Sequence, residues 1–212
     1  MLDQGETTQE AFKLRPLLEL KPALIVVGAS TGGPKAILDF LQETKGITQP
    51  ILITQHIPNN FTKSLAKQLQ MQTGRRILEA SHQVMIQPDT VYLAPGDFHM
   101  IVCPRSVPYQ ILLTKGDPEN FCRPAVDPLF KSAATRFRHL CLGIILTGIG
   151  KDGFLGAKEI IQNGGQVFAQ DKVSSIVWGM PGAICQGGLA STCDTPKNLG
   201  ILTAHLCTKG GE

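Results

Sequence analysis

Three side chains that can act together in the hydrolysis of an ester or amide follow apolar runs at widely separated points of the chain. Ser30 stands in the glycine-rich turn of "VVGASTGGP", His56 follows "ILITQ", and Asp152 follows "GIILTGIGK". A serine nucleophile needs a base to take its proton, and the base needs a carboxylate that fixes its tautomer and stabilises its charged form. These three residue types make up such a set if the fold brings them together.

Each of the three residues also has a simpler structural interpretation. Ser30 is a small residue that a glycine turn tolerates, His56 fits an ordinary histidine at a strand end, and Asp152 fits a cap on the helix that follows it. A glycine-rich turn between a strand and a helix also binds phosphate on its free amides. The joint placement of the three residues after three apolar runs favours the catalytic interpretation.

The elements that would position these residues alternate between buried strands and amphipathic helices. Continuous apolar runs predict strands at "ALIVVG", "PILITQ", "LCLGIILT" and "QVFAQ". Helices are predicted after Pro34, from an Asn60 cap to Gly74, over "AVDPLFKSAATRF", from about Phe154, and from "DTPKN". The stretch 84–115 alternates more and predicts antiparallel hairpin strands beside the main sheet. The sequence therefore predicts a doubly wound, mostly parallel α/β sheet flanked by helices in a Rossmann-like three-layer arrangement, with ligands bound beyond the carboxyl ends of the strands.

A competing motif lies in the loop that carries the aspartate. Gly148, Gly150 and Gly153 match the spacing G-x-G-x-x-G, and Asp171 ends the next predicted strand, as a ribose-binding acid would. This leaves a dinucleotide-binding oxidoreductase as an alternative. Asp152 counts against it, because its negative charge would face the pyrophosphate that such a loop attracts.

Composition and charge narrow the class of protein. At 212 residues and 42% hydrophobic, the chain fits one globular domain over 21–212 after a tail or linker remnant over 1–20. Its net charge of +3 is scattered, so we expect no nucleic-acid partner. A polar start and the lack of a long apolar stretch predict a cytoplasmic protein that is not embedded in a membrane. Six cysteines without a C-x-x-C pair predict free thiols, and the scattered histidines predict no metal site.

Six short blocks of the sequence resemble one known family. The blocks "VVGASTGGP", "ITQHIP", "VYLAPGDFHM", "CRPAVDPLF", "LTGIGKDG" and "VWGMPGAI" are similar, in this order, to the signature blocks of the catalytic domain of chemotaxis protein-glutamate methylesterases of the CheB type. The resemblance extends from about residue 24 to the C-terminus. It implies that Ser30 is the nucleophile, His56 the general base and Asp152 the orienting acid. It also implies that the backbone amides of Thr31 and Ile149 stabilise the oxyanion.

Two further residues in these blocks are candidates for substrate binding. Arg123 lies in "CRPAVDPLF" and Met180 in "VWGMPGAI". Arg123, like Asp127 in the same block, also fits a role in fixing the start of its own helix. Family members commonly carry methionine where this chain has Ile149, a change that leaves the backbone amide in place.

The resemblance implies a substrate as well. It would be a glutamate γ-methyl ester on the cytoplasmic domain of a methylated chemoreceptor, hydrolysed to glutamate and methanol without a cofactor, and deamidation of receptor glutamines fits as a second activity. A chemotaxis kinase or a separate receiver protein would be further partners. The receiver domain that usually precedes this domain is not in the sequence, so a stand-alone protein and a piece of a longer one both stay open. A non-catalytic receptor-binding module is a second alternative, and the intact Ser30, His56 and Asp152 argue against it.

Overall fold

The protein is built on a central parallel β-sheet, described here from a computed structural model that covers residues 12–209. The strands, in chain order, are β1 (Leu24–Ala29), β2 (Ile51–Gln55), β3 (Arg76–Glu79), β4 (Thr90–Leu93), β5 (His99–Val102), β6 (Ile111–Thr114), β7 (Cys141–Ile145), β8 (Gln166–Gln170) and β9 (Thr192–Asp194). The α-helices are α1 (Gly33–Glu43), α2 (Asn59–Thr73), α3 (Val126–Phe137), α4 (Phe154–Gln162), α5 (Met180–Gln186) and α6 (Pro196–Thr208). Seven strands form one sheet in the order β3-β4-β2-β1-β7-β8-β9, and β5 and β6 form a separate antiparallel pair.

The central strands are buried along their whole length and mostly apolar, because helices cover both faces of the sheet. Every residue of β1, β2, β7 and β8 is buried. In β1, Leu24 and Val26 face the core shared with α3 and α4, while Ile25 and Val27 face the core shared with α1 and α6. The predicted doubly wound, mostly parallel α/β fold is confirmed.

Two local predictions are wrong. The segment "TVYL", expected in an antiparallel hairpin, forms β4, which runs parallel between β3 and β2. Its four residues are all buried, so the apparent alternation of residue types did not reflect one exposed face. Asn60 is not the cap of α2, because the helix already begins at Asn59 after Pro58.

The described part of the predicted tail lies against the body of the protein. Residues 1–11 and 210–212 lie outside the described residues. The segment 12–20 contains neither helix nor strand, yet the Leu18 backbone exchanges two hydrogen bonds with the Gln166 side chain, and the ring of Phe12 lies 6.1 Å from that of Trp178. None of the helices within residues 12–209 is both long and apolar enough to cross a membrane.

Candidate active site

Ser30 and His56 follow directly after two paired strands. Ala29 of β1 pairs with Gln55 of β2, and the His56 amide donates a 3.0 Å hydrogen bond to the Ala29 carbonyl. The two residues are therefore neighbours across a strand spacing of about 4.8 Å. The parallel register predicts this arrangement, because the carboxyl ends of adjacent strands meet at one edge of the sheet.

The side chain of Gln55 ties these two strand ends together. Its Nε2 donates to the carbonyl of Ser30 at 2.8 Å and to the carbonyl of His56 at 3.0 Å. Gln55 is buried, so both bonds are partly shielded from water. Sequence reasoning missed this residue, since a glutamine that ends an apolar strand carries no signal for such a role.

Asp152 lies beside His56 and also caps a helix. Its Oδ2 is 2.7 Å from Nε2 of His56, although 96 positions separate the two residues. The carboxylate also accepts hydrogen bonds from the amides of Val126 at 2.6 Å, Asp127 at 3.1 Å and Gly153 at 2.9 Å. The first two amides begin α3, so Asp152 meets the positive end of the α3 dipole. The expected cap on the following helix is therefore wrong, because α4 has Gly153 as its N-cap and no side-chain cap bond. Asp152 caps α3 instead, and this role coexists with the contact to the imidazole.

These contacts determine the charge of the carboxylate. Burial raises the pKa of Asp152, but the hydrogen bonds from His56 and from the Val126 amide outweigh this effect, and the pKa lies below the ordinary value for aspartate. An ionised Asp152 accepts a hydrogen bond from the Nε2–H group of His56. The Nδ1 atom is then the ring nitrogen left to act as a base.

The second nitrogen of His56 faces a cysteine. Its Nδ1 lies 3.5 Å from Sγ of Cys122, and within the described residues the hydroxyl of Ser30 makes no hydrogen bond to the ring. Burial, together with the charge of Asp152, raises the pKa of the Cys122 thiol, so the sulfur stays protonated and is a poor nucleophile. The structure therefore shows the contact between His56 and Asp152 directly. Ser30 is placed near His56 by the register of β1 and β2.

Asn120 joins the two carboxylates at the start of α3. Its Nδ2 donates to Asp152 Oδ1 at 3.0 Å and to Asp127 Oδ2 at 3.2 Å. Asp127 also accepts the Gly156 amide at 2.6 Å, which links α3 to α4. Burial raises the pKa of Asp127, and the nearby charge of Asp152 adds to the effect. The structure gives Asp127 the structural role, while Asn120 is a contact that sequence reasoning missed because its partners are remote in sequence.

The two backbone amides predicted to stabilise the oxyanion have no hydrogen-bond acceptor within residues 12–209. Among the described residues, the backbone N–H groups of Thr31 and Ile149 donate no hydrogen bond. A methyl group placed on the Cα atom of Gly148 would lie 2.7 Å from Cβ of Ser30, so the loop that carries Ile149 passes close to the serine. The amide of Ser30 itself is already bound to the carbonyl of Thr147 at 2.9 Å.

The two predicted substrate-binding residues each make a structural contact in this structure. Arg123 donates to the carbonyl of Gly116 at 3.0 Å and so fixes its own loop. Met180 is fully buried. A methyl group on Gly148 would lie 2.3 Å from its Sδ atom, so the methionine packs against the loop that carries Ile149. Substrate contact by Met180 stays a prediction, and in this structure the side chain is fully buried.

The glycine loop does not have the features of a dinucleotide site. Asp152, within the loop, is turned inward onto His56 and the start of α3. Asp171, the expected ribose-binding acid, accepts the amide of Ser174 at 2.8 Å and the hydroxyl of the same serine at 2.5 Å, so it closes its own turn. The oxidoreductase alternative is not favoured.

A helix-flanked parallel sheet defines an α/β protein, and Ser30, His56 and Asp152 follow the carboxyl ends of three of its strands. The model of the CheB methylesterase family matches residues 25–201, and the chain belongs to this family. The six sequence blocks thus pointed to the right family.

Individual relatives agree with this assignment. The protein-glutamate methylesterase/protein-glutamine glutaminase of Azospirillum brasilense is 48% identical over 184 residues, which is 86% of this chain and 47% of that protein. A Rhodospirillum rubrum protein of the same name is 44% identical over 208 residues, 97% of this chain and 54% of its own length. The chain thus spans about half the length of the curated relatives it matches. The crystal structure of the Thermotoga maritima CheB methylesterase catalytic domain matches with a TM-score of 0.83 and 34% identity, over 88% of this chain and 100% of the other.

Proposed function

We propose that residues 21–212 form the catalytic domain of a protein-glutamate methylesterase that hydrolyses glutamate γ-methyl esters on the cytoplasmic domain of a methylated chemoreceptor. The observation that carries the proposal is the 2.7 Å contact between His56 and Asp152 beside the strand end that holds Ser30. The names of the relatives support a methyl-esterified glutamate of a protein as the substrate. We also propose a cytoplasmic location and, from the resemblance to the CheB family, a chemotaxis kinase or a separate receiver protein as further partners.

The first half of the reaction forms an acyl-enzyme. Nδ1 of His56 takes the proton of the Ser30 hydroxyl as the oxygen attacks the ester carbonyl, and Asp152 stabilises the imidazolium through Nε2. The mechanism requires the hydroxyl of Ser30, a half-buried residue, to reach Nδ1 by rotation about the Cα–Cβ bond. The free amides of Thr31 and Ile149 receive the negative oxygen of the tetrahedral intermediate. His56 then gives the proton to the leaving methoxide, and methanol departs.

The second half returns the enzyme to its starting state. Water attacks the acyl-serine with His56 as the base, and collapse of the second intermediate releases the glutamate carboxylate and restores the Ser30 hydroxyl. The same steps hydrolyse a glutamine side chain, with ammonia as the leaving group, which matches the second activity in the relatives' names. This chemistry uses side chains and backbone amides alone and needs no cofactor.

Methanol release from a methyl-esterified receptor fragment tests the proposal. We expect the parent to release methanol and Ser30→Ala to lose at least about a thousandfold in rate. Ser64→Ala is the matched control, because Ser64 lies exposed on α2 and bonds only to its own helix. Release by Ser30→Ala at the rate of the parent, or no release by the parent, would contradict the proposal.

A further inference from the structure

A tight turn beside the His56 and Asp152 pair holds an unusual backbone. Glu119 and Cys122 exchange two backbone hydrogen bonds, of 3.2 Å and 2.9 Å, around the two central residues Asn120 and Phe121. Both central residues have left-handed backbone angles, with φ of 49° and 62°. Such turns prefer asparagine followed by glycine, and a bulky residue in the second position is sterically disfavoured. Phe121 occupies the position that glycine would fill.

The residues on either side of Phe121 are anchored in the candidate active site. Asn120 donates to Asp152 at 3.0 Å, and Cys122 Sγ lies 3.5 Å from Nδ1 of His56. The strained turn is thus fixed to the two residues that would activate the nucleophile. The position of Phe121 relative to the reacting atoms is set by these contacts.

The ring of Phe121 itself packs against nothing in the described part of the chain. The side chain of Phe121 is fully exposed. Its φ of 62° is an angle that glycine adopts more readily than phenylalanine. An exposed aromatic ring on a strained, well-anchored turn is a feature that stability alone does not favour. Strain of this kind is found at sites that bind or react.

Other exposed apolar side chains flank Ser30. Ile149, which is 64% exposed, carries one of the two free amides, and Ile176, which is 73% exposed, packs over Gly32 in the serine turn. These two side chains and Phe121 are exposed apolar residues on turns that contact Ser30, His56 and Asp152, and we call the three the apolar rim of this polar centre. The acid of the Phe121 turn, Glu119, is paired with Lys131 at 2.9 Å, so the turn presents no free carboxylate to an acidic partner.

We propose that Phe121 is a specificity-determining residue whose ring packs on apolar side chains beside the ester on a helical segment of the protein substrate. The inference rests on the proposed function and adds to it the part of the enzyme that recognises protein. On a helix, residues three and four positions from the ester lie about 5–6 Å away, so apolar neighbours of a modified glutamate would meet the rim. A small free ester would fill the polar centre and leave Phe121 untouched.

The test compares two substrates. Phe121→Ala and the parent are assayed on a methyl-esterified receptor fragment and on 4-nitrophenyl acetate, a small ester without protein contacts. We expect Phe121→Ala to lose about tenfold in kcat/KM on the receptor fragment, mainly through KM, and to stay within about twofold on the small ester. Phe121→Tyr should retain the activity of the parent on both substrates, because it keeps the ring.

Val107→Ala is the matched control. Val107 is also exposed, at 87%, but its loop lies at the far end of α3, where Arg136 bonds to Ser106. Equal activity of Phe121→Ala and the parent on the receptor fragment would overturn the inference and leave the proposed function intact. Equal losses on both substrates would also overturn it, because the ring would then act through the triad. If the parent itself hydrolysed only the small ester, the proposed function and this inference would both be wrong.

Discussion

Two buried aspartates at the start of α3 have opposite pKa shifts. Hydrogen bonds lower the pKa of Asp152 despite its burial, whereas burial raises the pKa of Asp127. The stability that Asp152 contributes is fully present above the ordinary aspartate pKa of about 4 and is lost as the pH falls through its lowered pKa. Asp127 acts in the other direction. The folded protein holds the proton of Asp127 more tightly than the unfolded chain, so stability falls as the pH rises from about 4 through the raised pKa.

Asp127→Asn should therefore gain stability relative to the parent as the pH rises. The amide removes the buried charge and still offers one oxygen to the Gly156 amide, which Asp127 binds at 2.6 Å. The measurement is the free energy of unfolding in urea at about pH 4 and about pH 7 for both proteins. Asp117→Asn is the control, since Asp117 is exposed. A difference between Asp127→Asn and the parent that does not change with pH would show that the Asp127 charge has no such effect.

Among the secondary-structure elements, the packing of α3 against α4 holds Asp127 and Asp152 in place. Gly156 of α4 lies against Phe130 of α3, and a methyl group on its Cα atom would meet Cβ of that phenylalanine at 2.4 Å. The same methyl group would lie 3.2 Å from the backbone oxygen of Asp127. The two helices can approach this closely only because position 156 has no side chain.

Gly156→Ala should destabilise the protein by about 1–3 kcal/mol, because the added methyl group overpacks the helix contact. It should also lower methanol release by displacing Asp127 and the start of α3. Gly116→Ala is the matched control, because the nearest atom to its added methyl group is 3.8 Å away. Thermal unfolding of the two variants checks the prediction. Equal unfolding temperatures would show that the helices adjust without cost.

The Phe121 turn gives a second prediction for an element. Phe121→Gly should raise the free energy of unfolding by about 1 kcal/mol, because glycine adopts a φ of 62° without the steric cost that a side chain bears. The same variant should be weaker on the receptor fragment, so stability and recognition would move in opposite directions. Chemical unfolding measures the first effect. An unchanged or lower stability would mean that the turn carries no strain.

Over the whole molecule, the features that depend on repeated local pattern were predictable. Continuous apolar runs identified β1, β2, β7 and β8, and the rule for strand ends placed Ser30 and His56 next to each other. Features that depend on distant partners were not predictable. The pairing of β4 with β2 and the bonds of Gln55 and Asn120 arise only once the chain has folded. The burial of Met180 likewise depends on a distant partner, since Gly148 lies against its side chain.

The central claim is that Ser30, His56 and Asp152 act as one catalytic unit. The most direct test measures methanol release from the methyl-esterified receptor fragment by Ser30→Ala, by His56→Gln and by the double variant. Residues of one unit give losses that do not multiply. We predict that each single variant loses at least about a thousandfold in rate and that the double variant falls no more than about threefold below the slower single variant. Losses that multiply in the double variant, or a single variant as fast as the parent, would contradict this account.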